Sequence, residues 1–112
     1  MKTKLALTTA ALFVLLNVSN AFPQDIQIKF PKGRTSATMN GRIGKGGRIC
    51  YFARARQGQS FNATLSSRSG KVQIFESGET SYSYTVEQAG DQSVCVDNLS
   101  RATTYTLTVS IR

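Results

Sequence analysis

The side chains of this chain that could do chemistry are segregated by sign. Between Ile26 and Phe75 stand ten Lys and Arg and no acid, and between Glu76 and Asp97 stand five acids and no base. The chain has no His and no Trp, and its only thiols are Cys50 and Cys95. His-based triads and ordinary zinc sites are therefore excluded, as are cysteine nucleophiles once the two thiols pair. A glycosidase needs only two suitably spaced carboxyls, and Glu76, Glu79, Glu87, Asp91 and Asp97 are available. Their spacing selects no pair, and acids placed near turns read as solvated loop charges. Gly44-Lys-Gly-Gly47 lacks the spacing and the strand-to-helix setting of a phosphate loop, and no oxygen-rich calcium loop is present. The expectation is a binding protein with no metal and no cofactor.

Binding chemistry concentrates in the stretch from Gly41 to Phe61, where a glycine-lined basic loop feeds a strand and then a turn. The full chain carries a formal charge of +8. A basic surface supports an anionic partner, although it also serves solubility through self-repulsion. Nucleic acid is a poor fit: the aromatics Tyr51 and Phe61 belong to an alternating core pattern rather than to a stacking platform. Asn62-Ala-Thr64 and Asn98-Leu-Ser100 match a glycosylation acceptor pattern, but they read as ordinary strand and loop residues.

The N-terminus has the layout of a secretory signal. Lys2 and Lys4 form a positive region, Leu5 to Leu16 an apolar core, and Ser19-Asn20-Ala21 a small-residue cleavage site. The apolar run falls short of the roughly 20 residues that span a bilayer. Residues 1–21 are thus expected to be removed, leaving residues 22–112 as a single domain, periplasmic or secreted from a bacterium. Loss of Lys2 and Lys4 leaves twelve bases against six acids, a net charge of +6. Export into an oxidising compartment predicts a Cys50–Cys95 bridge, the staple that a small core needs.

What must position these residues is a set of short strands. Apolar residues alternate with period two at Ile26, Ile28 and Phe30; at Ile49, Tyr51, Ala53 and Ala55; and at Phe61, Ala63 and Leu65. The alternation continues at Val72 and Ile74, at Val94 and Val96, and at Tyr105, Leu107, Val109 and Ile111. These sets are the expected core. No segment keeps a helical stripe. Turn residues punctuate the pattern at Pro31-Lys-Gly33, Gly44 to Gly47, Gln57-Gly58, Ser69-Gly70, Ser77-Gly78 and Ala89-Gly90. The fold class that follows is all-β: a small antiparallel β-sandwich of about eight short strands with one disulfide. In this register Cys50 and Cys95 both face away from the core, on neighbouring strands.

Read together, the signal, Ile26-Gln-Ile-Lys-Phe-Pro-Lys-Gly33, Ser36-Ala37, Gly41-Arg-Ile43, Tyr51-Phe-Ala53 and Ala55-Arg-Gln-Gly-Gln59 resemble the periplasmic inhibitors of g-type lysozyme. The similarity runs from Ile26 to about Leu65. An aromatic strand leading into a Gly-Gln turn is also similar to bacterial pre-peptidase C-terminal domains, which are β-sandwiches. The first resemblance implies an inhibitor that puts loops into a muramidase cleft. Such a cleft carries a catalytic carboxyl, and Arg presents a rigid fork of donors that meets a carboxylate in two parallel bonds. The loop before the Cys50 strand and the loop after the Cys95 strand are expected at one end of the sandwich, which would gather Lys45, Arg48 and Arg101 as the partner-binding residues. The second resemblance implies an adhesion or polysaccharide-binding module that uses Arg54, Arg56 and Phe52 on the outer sheet face.

Overall fold

A computed structural model describes residues 25–112; the expected signal segment 1–21 lies outside them. Among the described residues there are eight strands and no helix: β1 (Asp25–Gln27), β2 (Ser36–Ile43), β3 (Arg48–Ala55), β4 (Ser60–Ser67), β5 (Val72–Ile74), β6 (Ser81–Thr85), β7 (Gly90–Asn98) and β8 (Thr103–Ile111). They form two four-stranded sheets, ordered β1-β3-β7-β5 and β2-β8-β4-β6. The expected all-β sandwich with one disulfide is the observed architecture. One pair, β1 with β3, runs parallel.

The period-two pattern becomes two inner faces. Phe61, Leu107 and Val109 from one sheet and Ile74, Val94 and Val96 from the other are fully covered. Each such side chain contributes roughly 1.5–3 kcal/mol relative to an exposed one. Tyr51 and Tyr105 are both buried, and their hydroxyls meet across the layers at 2.5 Å. Each polar tip thus satisfies the other inside an apolar core. Gly41 makes room for this pair, since a Cβ there would lie 2.6 Å from the Tyr105 hydroxyl.

Two departures from the sequence pattern have plain causes. Ile26 is 38% exposed rather than in the core, because β1 is a three-residue edge strand whose residues all face solvent; the chain first reaches the interior at Ile28. Strands β2 and β6 carry little apolar alternation. In β2 the inward positions are Ala37, half-buried Met39, Gly41 and Ile43, and the glycine leaves space that its cross-strand partner Tyr105 fills. In β6 they are Tyr82 and Tyr84, half-buried and packed on Phe61.

Glycines turn the chain where expected. Gly46, in the β2–β3 loop, has φ near +70° and Gly58, in the β3–β4 turn, near +91°, backbone that an L side chain reaches only with strain.

Candidate functional site

The outer face of the sheet containing β3 carries a cross-strand ladder. Arg48 sits opposite Asp97, Cys50 opposite Cys95, Phe52 opposite Ser93, and Arg54 opposite Asp91. Cys50 and Cys95 form the expected bridge between the two central strands. Both peptide groups of Cys95 point toward β5: its carbonyl accepts from Phe75 N–H at 2.8 Å and its N–H donates to Glu76 Oε1 at 2.9 Å. Cys50 and Cys95 are therefore a non-hydrogen-bonded pair, the type in which facing side chains come closest. Glu76 takes up backbone bonding beyond the end of β5, so this acid has a structural task.

Arg48 is likewise engaged within the chain, by the Asp97 carboxylate. Its Nε and a terminal nitrogen donate to the two carboxylate oxygens at 2.6 and 2.9 Å, and its guanidinium carbon lies 3.9 Å from the centroid of the Phe75 ring. The hydrogen bonds to Asp97 raise the Arg48 pKa above its ordinary value, so the group stays charged. Its donor fork is nevertheless engaged within the chain. Phe75 is half exposed.

The loops before β3 and after β7 do emerge at one end, and one buried side chain holds them there. Asn98 is 2% exposed. Its amide nitrogen lies 3.1 Å from the Ile43 carbonyl oxygen, 3.0 Å from that of Gly44 and 3.0 Å from that of Arg101. Its backbone exchanges bonds with the same loop, accepting from Gly46 N–H and donating to the Gly47 carbonyl, each at 3.1 Å. Its side-chain oxygen accepts from Ser100 N–H at 3.0 Å. The residue that matched a glycosylation pattern is an internal staple.

Lys45 and Arg101 therefore occupy neighbouring loops, both exposed. Arg101 does not share a cavity with Arg48. It lines an open cavity of about 510 Å³ together with Arg42, Arg68 and Lys71, whereas Arg48 lines a separate one of about 330 Å³ with Asp97 and exposed Leu99. Arg42, Arg68 and Lys71 escape a reading of the sequence because they come from the end of β2 and the loop between β4 and β5. Only the pairing of β2 with β8, and a bond from Leu99 N–H to the Lys71 carbonyl at 3.2 Å, bring them beside Arg101. The available signal was the absence of acids between Ile26 and Phe75.

The secondary candidates Arg54 and Arg56 lie at the other end of the molecule. Both are exposed and line an open cavity of about 390 Å³ with Gln59 and Gly90. Phe52, on the same face, is half-buried.

What the fold and site define is a small disulfide-bridged β-sandwich with a strongly basic loop end. Solved structures share this fold. The chain superposes on PliG from Aeromonas hydrophila, a periplasmic inhibitor of g-type lysozyme, with a TM-score of 0.68 at 18% identity, covering 80% of this chain and 96% of that one. PliG from Salmonella Typhimurium gives 0.65 at 21% identity, covering 81% and 100%. A mutant of the Escherichia coli PliG gives 0.63 at 19%, again covering 81% and 100%. No family model matches the chain, and no curated protein matches it in sequence.

Proposed function

We propose that this protein is an exported inhibitor of a g-type lysozyme and acts by occupying the enzyme's substrate cleft, making and breaking no bond itself. The observation that carries the reading is the fold it shares with inhibitors of that class over essentially their whole length. The basic loop end adds a physical reason. A muramidase cleft holds at least one catalytic carboxyl, and cations presented on backbone already fixed by hydrogen bonds lose little freedom when they bind it. Lys45 and Arg101 stand on the two loops that Asn98 ties together. Arg48, the third residue expected there, is paired with Asp97, so the two together are neutral and Lys45 and Arg101 carry the free positive charge of these loops. The proposed location is the bacterial periplasm, where such an enzyme would meet the cell wall.

The test is inhibition of a purified g-type lysozyme acting on bacterial cells, with competition by a soluble chitooligosaccharide. Inhibition should weaken as the saccharide rises. Lys45→Ala/Arg101→Ala should reduce binding by about 2–5 kcal/mol if the cations meet buried carboxylates. Arg54→Ala/Arg56→Ala removes the same charge from the far end and should leave inhibition unchanged. Dependence on Arg54 and Arg56 alone, together with capture by an anionic glycan, would favour the polysaccharide-binding module instead.

A further inference from the structure

The cavity shared by Arg42, Arg68, Lys71 and Arg101 asks for a ligand of its own. Its four cations come from three separate segments, and the one ion pair among the described residues, Arg48–Asp97, lies outside it. No carboxylate lines it; the remaining wall is Ala102 and hydroxyl side chains such as Ser100 and Thr104. Like charges gathered without a counterion repel one another, and an anion placed among them removes that penalty.

The backbone under each cation is fixed before anything binds. Arg42 is the cross-strand partner of Thr104. The Arg101 carbonyl is held by Asn98, and the Lys71 carbonyl by Leu99 N–H. The β4–β5 turn that carries Arg68 is closed by Ser67 Oγ accepting from Gly70 N–H at 2.9 Å and Ser69 Oγ accepting from Lys71 N–H at 3.1 Å. Ordering the site thus costs only side-chain freedom.

We propose that this cavity binds a small ligand carrying more than one phosphoryl group. Arg forks pair with two oxygens of a phosphoryl group while Lys acts as a point charge, and surrounding hydroxyls complete the shell. A volume of about 510 Å³ sits within the range of small-molecule sites, roughly 300–1,000 Å³. That is more space than a single phosphate fills and suits a linear oligophosphate or a bis-phosphorylated disaccharide. The site shares Arg101 with a loop proposed to enter the enzyme, but Arg42, Arg68 and Lys71 lie outside both loops, so variants at those positions test it apart from the inhibitor reading.

Calorimetric titration of the exported protein at fixed ionic strength tests this, with inorganic phosphate, tripolyphosphate and a bis-phosphorylated disaccharide as probes. Saturable one-to-one binding of either larger probe, tighter than inorganic phosphate by about tenfold or more, is expected; which of the two binds tighter tells free oligophosphate from a saccharide-linked source. Arg42→Ala/Arg68→Ala should lose about tenfold or more in affinity, while Arg54→Ala/Arg56→Ala, of equal net charge, should stay within about twofold. Thermal melts of both variants confirm that they fold. Absence of saturable binding by both larger probes, or equal losses from the two double variants, would overturn the site. Lysozyme inhibition measured on the same proteins keeps the two proposals apart: phosphoryl binding without inhibition rejects only the inhibitor reading, and inhibition without phosphoryl binding rejects only this site.

Discussion

Asn98 shows how one buried amide can decide the shape of a surface. Its nitrogen serves carbonyls on both the β2–β3 and β7–β8 loops, and removing it leaves those acceptors to find water in a covered position. Asn98→Ala should destabilise the domain by about 1–3 kcal/mol. Asn98→Asp should cost more, because a carboxylate would face carbonyl oxygens. Urea unfolding checks both; an unchanged midpoint would mean that the loops hold together without the amide. The tyrosines give a second prediction at this scale. Burial, with a smaller effect from neighbouring Tyr82, pushes Tyr84 up to about 12, and burial followed by the bond to Tyr51 pushes Tyr105 higher still. An unfolded phenol ionises near about pH 10. Above that pH the unfolded chain releases protons that the folded one retains, so stability is fully present below about pH 10 and is lost as pH rises through the folded values. Melting temperature should therefore fall on the alkaline side, and Tyr84→Phe/Tyr105→Phe should flatten that fall.

Among the strands, β3 and β7 are the pair on which the site rests. They occupy the centre of one sheet and carry the disulfide and the Arg48–Asp97 pair side by side on its outer face. Chain-entropy reasoning makes the bridge worth about 2–5 kcal/mol. Cys50→Ala/Cys95→Ala should therefore lower the denaturation midpoint by a corresponding amount, and a midpoint within error of the parent would show that the two strands register without it. Strand β2 depends instead on a missing side chain. Gly41→Ala forces the Tyr105 ring to move, an overpacking cost of about 1–3 kcal/mol. The cost should shrink when Tyr105 is also shortened to Leu, which a double-mutant cycle would measure. This gives Gly41-Arg-Ile43, one of the motifs behind the family resemblance, a packing reason for its glycine.

At the scale of the whole molecule the feature that matters is the uneven placement of charge. Arg42, Lys45, Arg48, Arg68, Lys71 and Arg101 gather around the loop end, with Asp97 committed to Arg48. The far end mixes Arg54 and Arg56 with Glu87 and Asp91. A field of this kind speeds encounter with an acidic cleft and is screened over about 8–10 Å at ordinary salt. Rising salt should therefore slow association with a g-type lysozyme far more than it speeds release, because the central contacts are shielded from bulk ions. Stopped-flow binding at several salt concentrations reads both rates; if release carries most of the salt dependence, the interface is a loose charged contact and not a filled cleft.

The order of residues along the chain is enough to establish the fold class, most of the core and the disulfide. Period-two alternation places Phe61, Leu107, Val94 and Val96 inward whatever their partners, and in the β3 and β7 registers it places both cysteines outward. Turn glycines such as Gly46 and Gly58 mark loops through backbone freedom, which is a local property. It also indicated which two loops share an end. Which side chains stand free at that end is settled by contacts between distant strands. Arg48 looks like a free cation until Asp97 and Phe75, distant in sequence, are folded against it. Arg42, Arg68 and Lys71 join Arg101 only once β2 pairs with β8 and Leu99 bonds to Lys71. Alternation reports the face on which a side chain lies. Which strands lie side by side is set by packing two layers around one core, and that choice assembles a site from residues far apart in the chain.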